Sequence, residues 1–121
     1  MDSILTSIKK LLGFEEGYTQ FDSDIIIYIN ATLMILQQLG VGPITGFSIM
    51  DKTKTWTDYL GSREDLEAVK TYVYLKVKLM FDPPSSSFVL ESIKTLIAEL
   101  EWRINTQVET PTDPIITQSV S

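Results

Sequence analysis

The sequence predicts a mainly α fold: a small bundle of about four to five helices, with an irregular loop or short β-hairpin insertion and a flexible C-terminal tail. Three observations lead there. Apolar residues recur at helical spacing along most of the chain. Capping residues, glycines and prolines mark the ends of those runs. Only residues 41–61 interrupt the helical pattern for long. The chain has 121 residues, 44% of them hydrophobic, which suits a single core. A domain this small buries a modest share of its surface, so oligomerisation is a natural stabiliser.

A first helix is expected from Asp2 or Ser3 to Leu12, because Ile4, Leu5, Ile8, Leu11 and Leu12 form a core-facing stripe. Gly13 stops it, and Phe14 to Gln20 reads as loop. A second helix follows with Asp22 as N-cap and acidic residues in its first turn. That register places Phe21 and Ile26 at the positions of a hydrophobic staple. At its far end Gly40 falls at C′ and Val41 at C″, opposite Leu36, as in a Schellman motif. Its body, Ile25 to Leu39, is apolar over more than half its circumference and is expected in the centre of the bundle.

Gly42, Pro43 and Gly46 break the helix, and Phe47 to Met50 has the look of a short strand before a turn at Asp51-Lys52. Thr55 and Asp58 have capping-box spacing, which predicts a turn or two of helix from Trp56 to Leu60, ended by Gly61. Trp56 and Tyr59 are expected as local packing anchors. A long irregular stretch of this kind is often functional.

The run from Tyr72 to Leu79 alternates like a strand, yet Leu66, Val69, Val73, Val77 and Met80 also form a helical stripe. Helix formers precede it without a turn signal, so one helix from Arg63 to Phe81 is expected, with Ser62 and Asp65 at capping-box spacing. Asp82-Pro83-Pro84 closes it. Ser85, Ser86 and Ser87 are candidate N-caps for a last helix from Phe88 to about Asn105, with core residues Val89, Ile93, Leu96, Ile97, Leu100 and Ile104. The domain boundary is expected there: a helical domain over 1–105 and a flexible tail over 106–121, which contains the apolar pair Ile115-Ile116. The tail reads either as plain disorder or as a segment that folds on binding.

Composition restricts the function. The chain has no histidine and no cysteine. It therefore lacks the commonest general base, the commonest transition-metal ligand and the thiol nucleophile, and no enzyme, metal site or cofactor is expected. Absence of cysteine also excludes disulfides and suits a reducing cytoplasm. The net charge of −6 and scattered basic residues argue against an ordinary nucleic-acid-binding module. Tyr72 and Tyr74 with Lys76 and Lys78 imitate an aromatic–basic face, but on a helix they spread around the circumference. The start, Met1 to Ile4, lacks the pattern of an export signal, and Ile25 to Leu36 is too short to span a bilayer. No phosphate loop, calcium loop or internal repeat is present.

Several runs, in order, resemble the small head–tail connector (adaptor, or head-completion) proteins of tailed bacteriophages. They are Asn30 to Pro43, ending Leu39-Gly40-Val41-Gly42-Pro43; Thr55-Trp56-Thr57-Asp58-Tyr59-Leu60; Val69 to Val77; Phe81-Asp82-Pro83-Pro84; and Glu99-Leu100-Glu101-Trp102-Arg103-Ile104-Asn105. The resemblance implies a helical, non-catalytic subunit that forms a ring, twelve-fold in the virion, beneath the portal protein. The ring would extend the DNA channel and offer a platform to a head-closure (stopper) or tail-completion protein. DNA would pass through the lumen without specific binding, and no membrane would be involved. The protein would reside at the head–tail interface of the virion and in the host cytoplasm during assembly. Trp102, Arg103, Ile115 and Ile116 are the candidate partner-interface residues, chosen by exposed position and residue type. The rival readings are a generic helical adaptor or small regulator, and a nucleic-acid-binding module.

Overall fold

The computed structural model describes residues 3–61 and 66–109, with side chains as far as Thr106. Five helices follow one another: α1 (Ile4–Leu12), α2 (Asp22–Gln38), α3 (Trp56–Leu60), α4 (Leu66–Phe81) and α5 (Ser87–Glu109). Among the described residues there is no sheet, only an isolated antiparallel bridge between Ser3 and Thr55. The mainly α expectation is therefore met, with an irregular loop as the insertion.

α1 begins where Ser3 accepts a hydrogen bond from the Thr6 amide, and ends at Gly13, whose amide bonds back into the last turn. Ile4, Leu5 and Ile8 point into the core, whereas Leu11 is half exposed. The Ile4 amide also donates to the Lys54 carbonyl (3.0 Å), which ties the start of α1 to the segment before α3.

α2 starts differently from expectation. Phe21 occupies the N-cap position without a side-chain cap, and Asp22 is already helical. The reason is charge: the Asp22 carboxylate turns to the Lys9 ammonium on α1, 2.9 Å away, rather than to its own helix end. Lys9 is 3% exposed and also donates to the Glu16 carbonyl (3.0 Å). The staple register between Phe21 and Ile26 shifts with the cap. Phe21 instead packs against Phe14 (5.8 Å between centroids) and Phe81 (5.4 Å), near the end of α4. The other end of α2 follows its expected geometry. The Val41 amide donates to the Leu36 carbonyl (2.9 Å) and the Gly40 amide to that of Gln37 (3.0 Å), the two bonds of a Schellman motif. Gly40 has φ +90°, which a residue with a Cβ rarely adopts.

Residues 47–50 are not a strand. Their would-be ladder partner is a side chain: the Asn30 amide donates to the Ile49 carbonyl (2.9 Å) and accepts from the Ile49 amide (2.8 Å). These two bonds seat Ile49 in the core at 1% exposure without a second strand. The turn at Asp51 forms as expected, with its carboxylate accepting from the amide and hydroxyl of Thr53 (2.9 and 2.6 Å). α3 has the expected reciprocal capping box between Thr55 and Asp58. Trp56 is buried and donates from Nε1 to Ser7 Oγ (2.8 Å), so it does anchor the loop to α1. Tyr59 is buried too, and its ring lies so close to Gly42 that a Cβ there would sit 2.5 Å from Cε1.

The alternating run resolves as helix. Val69, Tyr72, Val73 and Val77 are wholly buried and Leu75 nearly so, which makes α4, not α2, the central helix. It packs most extensively on α2 and then on α5, with smaller seams to α1. Residues 62–65, where the start and cap of this helix were expected, lie outside the described set. Ser86 caps α5 through its Oγ to the Val89 amide (3.3 Å). α5 then runs to Glu109, four residues beyond the expected boundary at Asn105. Nothing in Thr106 to Glu109 stops a helix; the first proline after Asn105 is Pro111.

Candidate functional site

The described surface has apolar side chains, not reactive ones, as its distinctive feature. Of the four residues expected at an interface, two can be located. Trp102 on α5 is 68% exposed. Arg103 beside it is exposed and reaches Glu99 only loosely, at 3.9 Å. Ile115 and Ile116 lie outside the described residues, as does the rest of the tail after Glu109.

The exposed apolar surface is larger than the sequence indicated. Phe88, at the start of α5, is 79% exposed, and Val89 and Leu96, expected in the core, are also open. Helical geometry explains this, because α5 meets the bundle mainly along α4. Ile97, Leu100 and Ile104 share the buried face, while Phe88 and Trp102 fall on the opposite one. On α2, Ile27 and Met34 are 61% and 62% exposed, seven residues apart on one face. The all-round apolarity of this helix was the signal for them. In a single chain it reads as complete burial, but it equally marks a helix with a face left for a partner. Ile44 and Met50 project from the irregular segment, almost fully exposed.

Chemistry elsewhere is sparse. A groove of about 360 Å³ is lined by Lys9, Glu16, Asp22, Met50 and Lys52, among others. Four of its charges are engaged in pairs, Lys9 with Asp22 and, on the surface, Lys52 with Glu16 at 3.7 Å, while the Asp51 carboxylate accepts hydrogen bonds from Thr53. Among the described residues no group of three or more carboxylates is arranged to hold a metal ion. Tyr72, the first member of the aromatic–basic run, is wholly buried and donates to Glu101 Oε2 (2.7 Å). Burial and the Glu101 carboxylate together push its phenol well above the ordinary tyrosine range. The run therefore offers no continuous stacking face. No described helix is long and apolar enough to cross a membrane.

Of the comparisons with known proteins, one found a match. No curated protein and no solved structure matched the chain. A family model described as phage connector protein matches residues 4–111, which spans all five helices. Coverage of nearly the whole chain, by a model of one family, makes the chain a member of the phage connector protein family.

Proposed function

We propose that this protein is a structural, non-catalytic component of the virion that assembles as a ring beneath the portal protein. The ring, twelve-fold in the virion, extends the DNA channel and presents a docking platform to a head-closure or tail-completion protein. The observation that carries this reading is the family match over residues 4–111. The exposed apolar side chains on α2 and α5 support it, since a subunit of an assembly keeps such surface for its neighbours. Heterologous contacts repeated about an axis close a ring, and many weak contacts become strong once the portal templates them.

Within this reading the helical domain forms the ring body, the tail after α5 engages the portal, and Trp102, Arg103, Ile115 and Ile116 lie at partner interfaces. Acidic side chains line the lumen, in keeping with the net charge of −6, so that DNA passes without adhering. The protein waits in the host cytoplasm and ends at the head–tail interface.

The test is native mass spectrometry of the purified protein, alone and mixed with the portal protein of its phage. A ring-sized species, alone or on the portal, is the expected result. A strict monomer in both samples removes ring assembly and leaves a generic helical adaptor. A strong low-salt shift of DNA in a gel would instead favour the nucleic-acid reading.

A further inference from the structure

Two exposed apolar rows lie on different flanks of the central helix. α4 touches α5 through Tyr72, which bonds Glu101, and touches α2 through Phe81, whose ring meets Tyr28 at 6.4 Å. These two contact residues are nine positions apart, which places them about half a turn from one another around α4. α2 and α5 are thus held on opposite sides, each with its outer face open. On α2 the row is Ile27 and Met34, directed away from the buried Ile25, Ile29 and Leu36. It continues to Ile44, which Gln37 holds by donating from Nε2 to its carbonyl (2.9 Å). On α5 the row runs from Phe88 to Trp102.

The rows differ in charge at matching ends. α2 carries Asp22 and Asp24 in its first turn and no basic residue anywhere. The α5 row ends in Trp102 and Arg103, and among the described residues Arg103 pairs with the exposed Glu99, loosely at 3.9 Å. Resting on the ring reading above, we infer that the α2 row of one copy packs antiparallel on the α5 row of the next. Arg103 then faces Asp24, and Trp102 covers Ile27. At ~1.5 Å per residue, Ile27 to Met34 spans ~10.5 Å and Trp102 to Phe88 ~21 Å, which carries Phe88 past Met34 towards Ile44. A second copy is the occupant because Arg103 meets the acidic first turn of α2, a helix with no basic residue. The exposed Glu91 and Glu99 of α5 fall opposite its uncharged remainder, and both rows leave apolar residues to cover. The rows are different surfaces, so every copy that uses one keeps the other for a further neighbour. Such a contact is heterologous and propagates until it closes.

The chain has no cysteine, so introduced thiols report contacts directly. Ala31→Cys lies between Ile27 and Met34, and Thr95→Cys lies on the outer side of α5 between Phe88 and Trp102, leaving the apolar residues intact. The double variant, its helix content checked by circular dichroism, is treated with a short bismaleimide, alone and on the portal. Expected is a covalent ladder from two copies up to the full ring. Each single variant should give no crosslink, and a mixture of the two singles should stop at dimers. Dimers from one single variant alone would mean a two-fold contact and overturn the inference. Multimers in native mass spectra without a ladder would overturn it while the ring reading stands, the rows then being covered by the chain's own tail or by another virion protein. Absence of multimers in both samples would remove the ring reading, and the inference with it.

Discussion

The Lys9–Asp22 contact shows how much a single residue's surroundings matter. The Lys9 ammonium is almost wholly enclosed, while the Asp22 side chain remains 25% exposed. The contacting Asp22 oxygen lies 2.9 Å from Nζ, yet it has no well-aligned hydrogen bond, so the contact is chiefly one between charges. Removing either partner has unequal consequences. Asp22→Ala strands a buried cation with only the Glu16 carbonyl for company, and we expect a loss of about 3 kcal/mol. Lys9→Met fills the same space with apolar atoms and leaves a carboxylate that is partly exposed although the oxygen facing residue 9 is buried, so its loss should be the smaller, about 1–2 kcal/mol. Urea denaturation of the two variants checks the order; equal losses would show that the enclosure of Lys9 does not matter. Asn30 makes the same point without charge, since one amide side chain replaces a whole strand as the partner of Ile49.

At the scale of elements, the seam between α4 and α5 is the one whose strength can be tuned. Ile97, Leu100 and Ile104 bury against the bundle, and the Tyr72–Glu101 hydrogen bond is the polar clasp. Tyr72→Phe keeps the ring and removes the clasp, at an expected cost of about 1.5 kcal/mol at neutral pH. The pH dependence follows from the raised phenol. Below the ordinary tyrosine value of 10.0 both folded and unfolded chains hold this proton, so the stability is fully present. Above it the unfolded chain releases the proton first, and stability falls as pH rises towards the folded value. The gap between wild type and Tyr72→Phe in denaturation midpoints should therefore narrow above pH ~10. A gap that stays constant there would show that the clasp does not hold the proton.

For the whole molecule, the two tryptophans allow stability and the proposed assembly to be tested apart. Trp56 is buried and bonded to Ser7, whereas Trp102 stands on the surface. Trp56→Phe makes Trp102 the sole tryptophan and costs about 1 kcal/mol or somewhat more through the lost hydrogen bond and ring volume. Its emission should be that of a water-exposed indole in the monomer and shift to shorter wavelength when copies assemble. Assembly seen by native mass without any shift would remove Trp102 from the interface. Trp102→Ala, by contrast, should leave the monomer's denaturation midpoint nearly unchanged and weaken assembly, since its side chain contributes little to the core.

Local physics was legible in the sequence wherever one segment suffices to decide the outcome. The Thr55–Asp58 capping box, the Schellman end of α2 at Gly40 and Val41, the serine cap of α5 and the packing role of Trp56 depend on residues a few positions apart or on residue type. The helical reading of residues 66–81 was legible because helix formers lead into the run without a turn. What only the tertiary structure decided depends on partners distant in the chain. Asp22 left its cap for a lysine on another helix, and Phe47 to Met50 gave up a strand for a side chain 19 residues away. The central place passed from α2 to α4, because hydrophobicity states that a face must be covered but not what covers it. For the same reason the sequence alone marked Trp102 and Arg103 but not Phe88, Ile27 or Met34, whose exposure exists only once the other helices have taken their places.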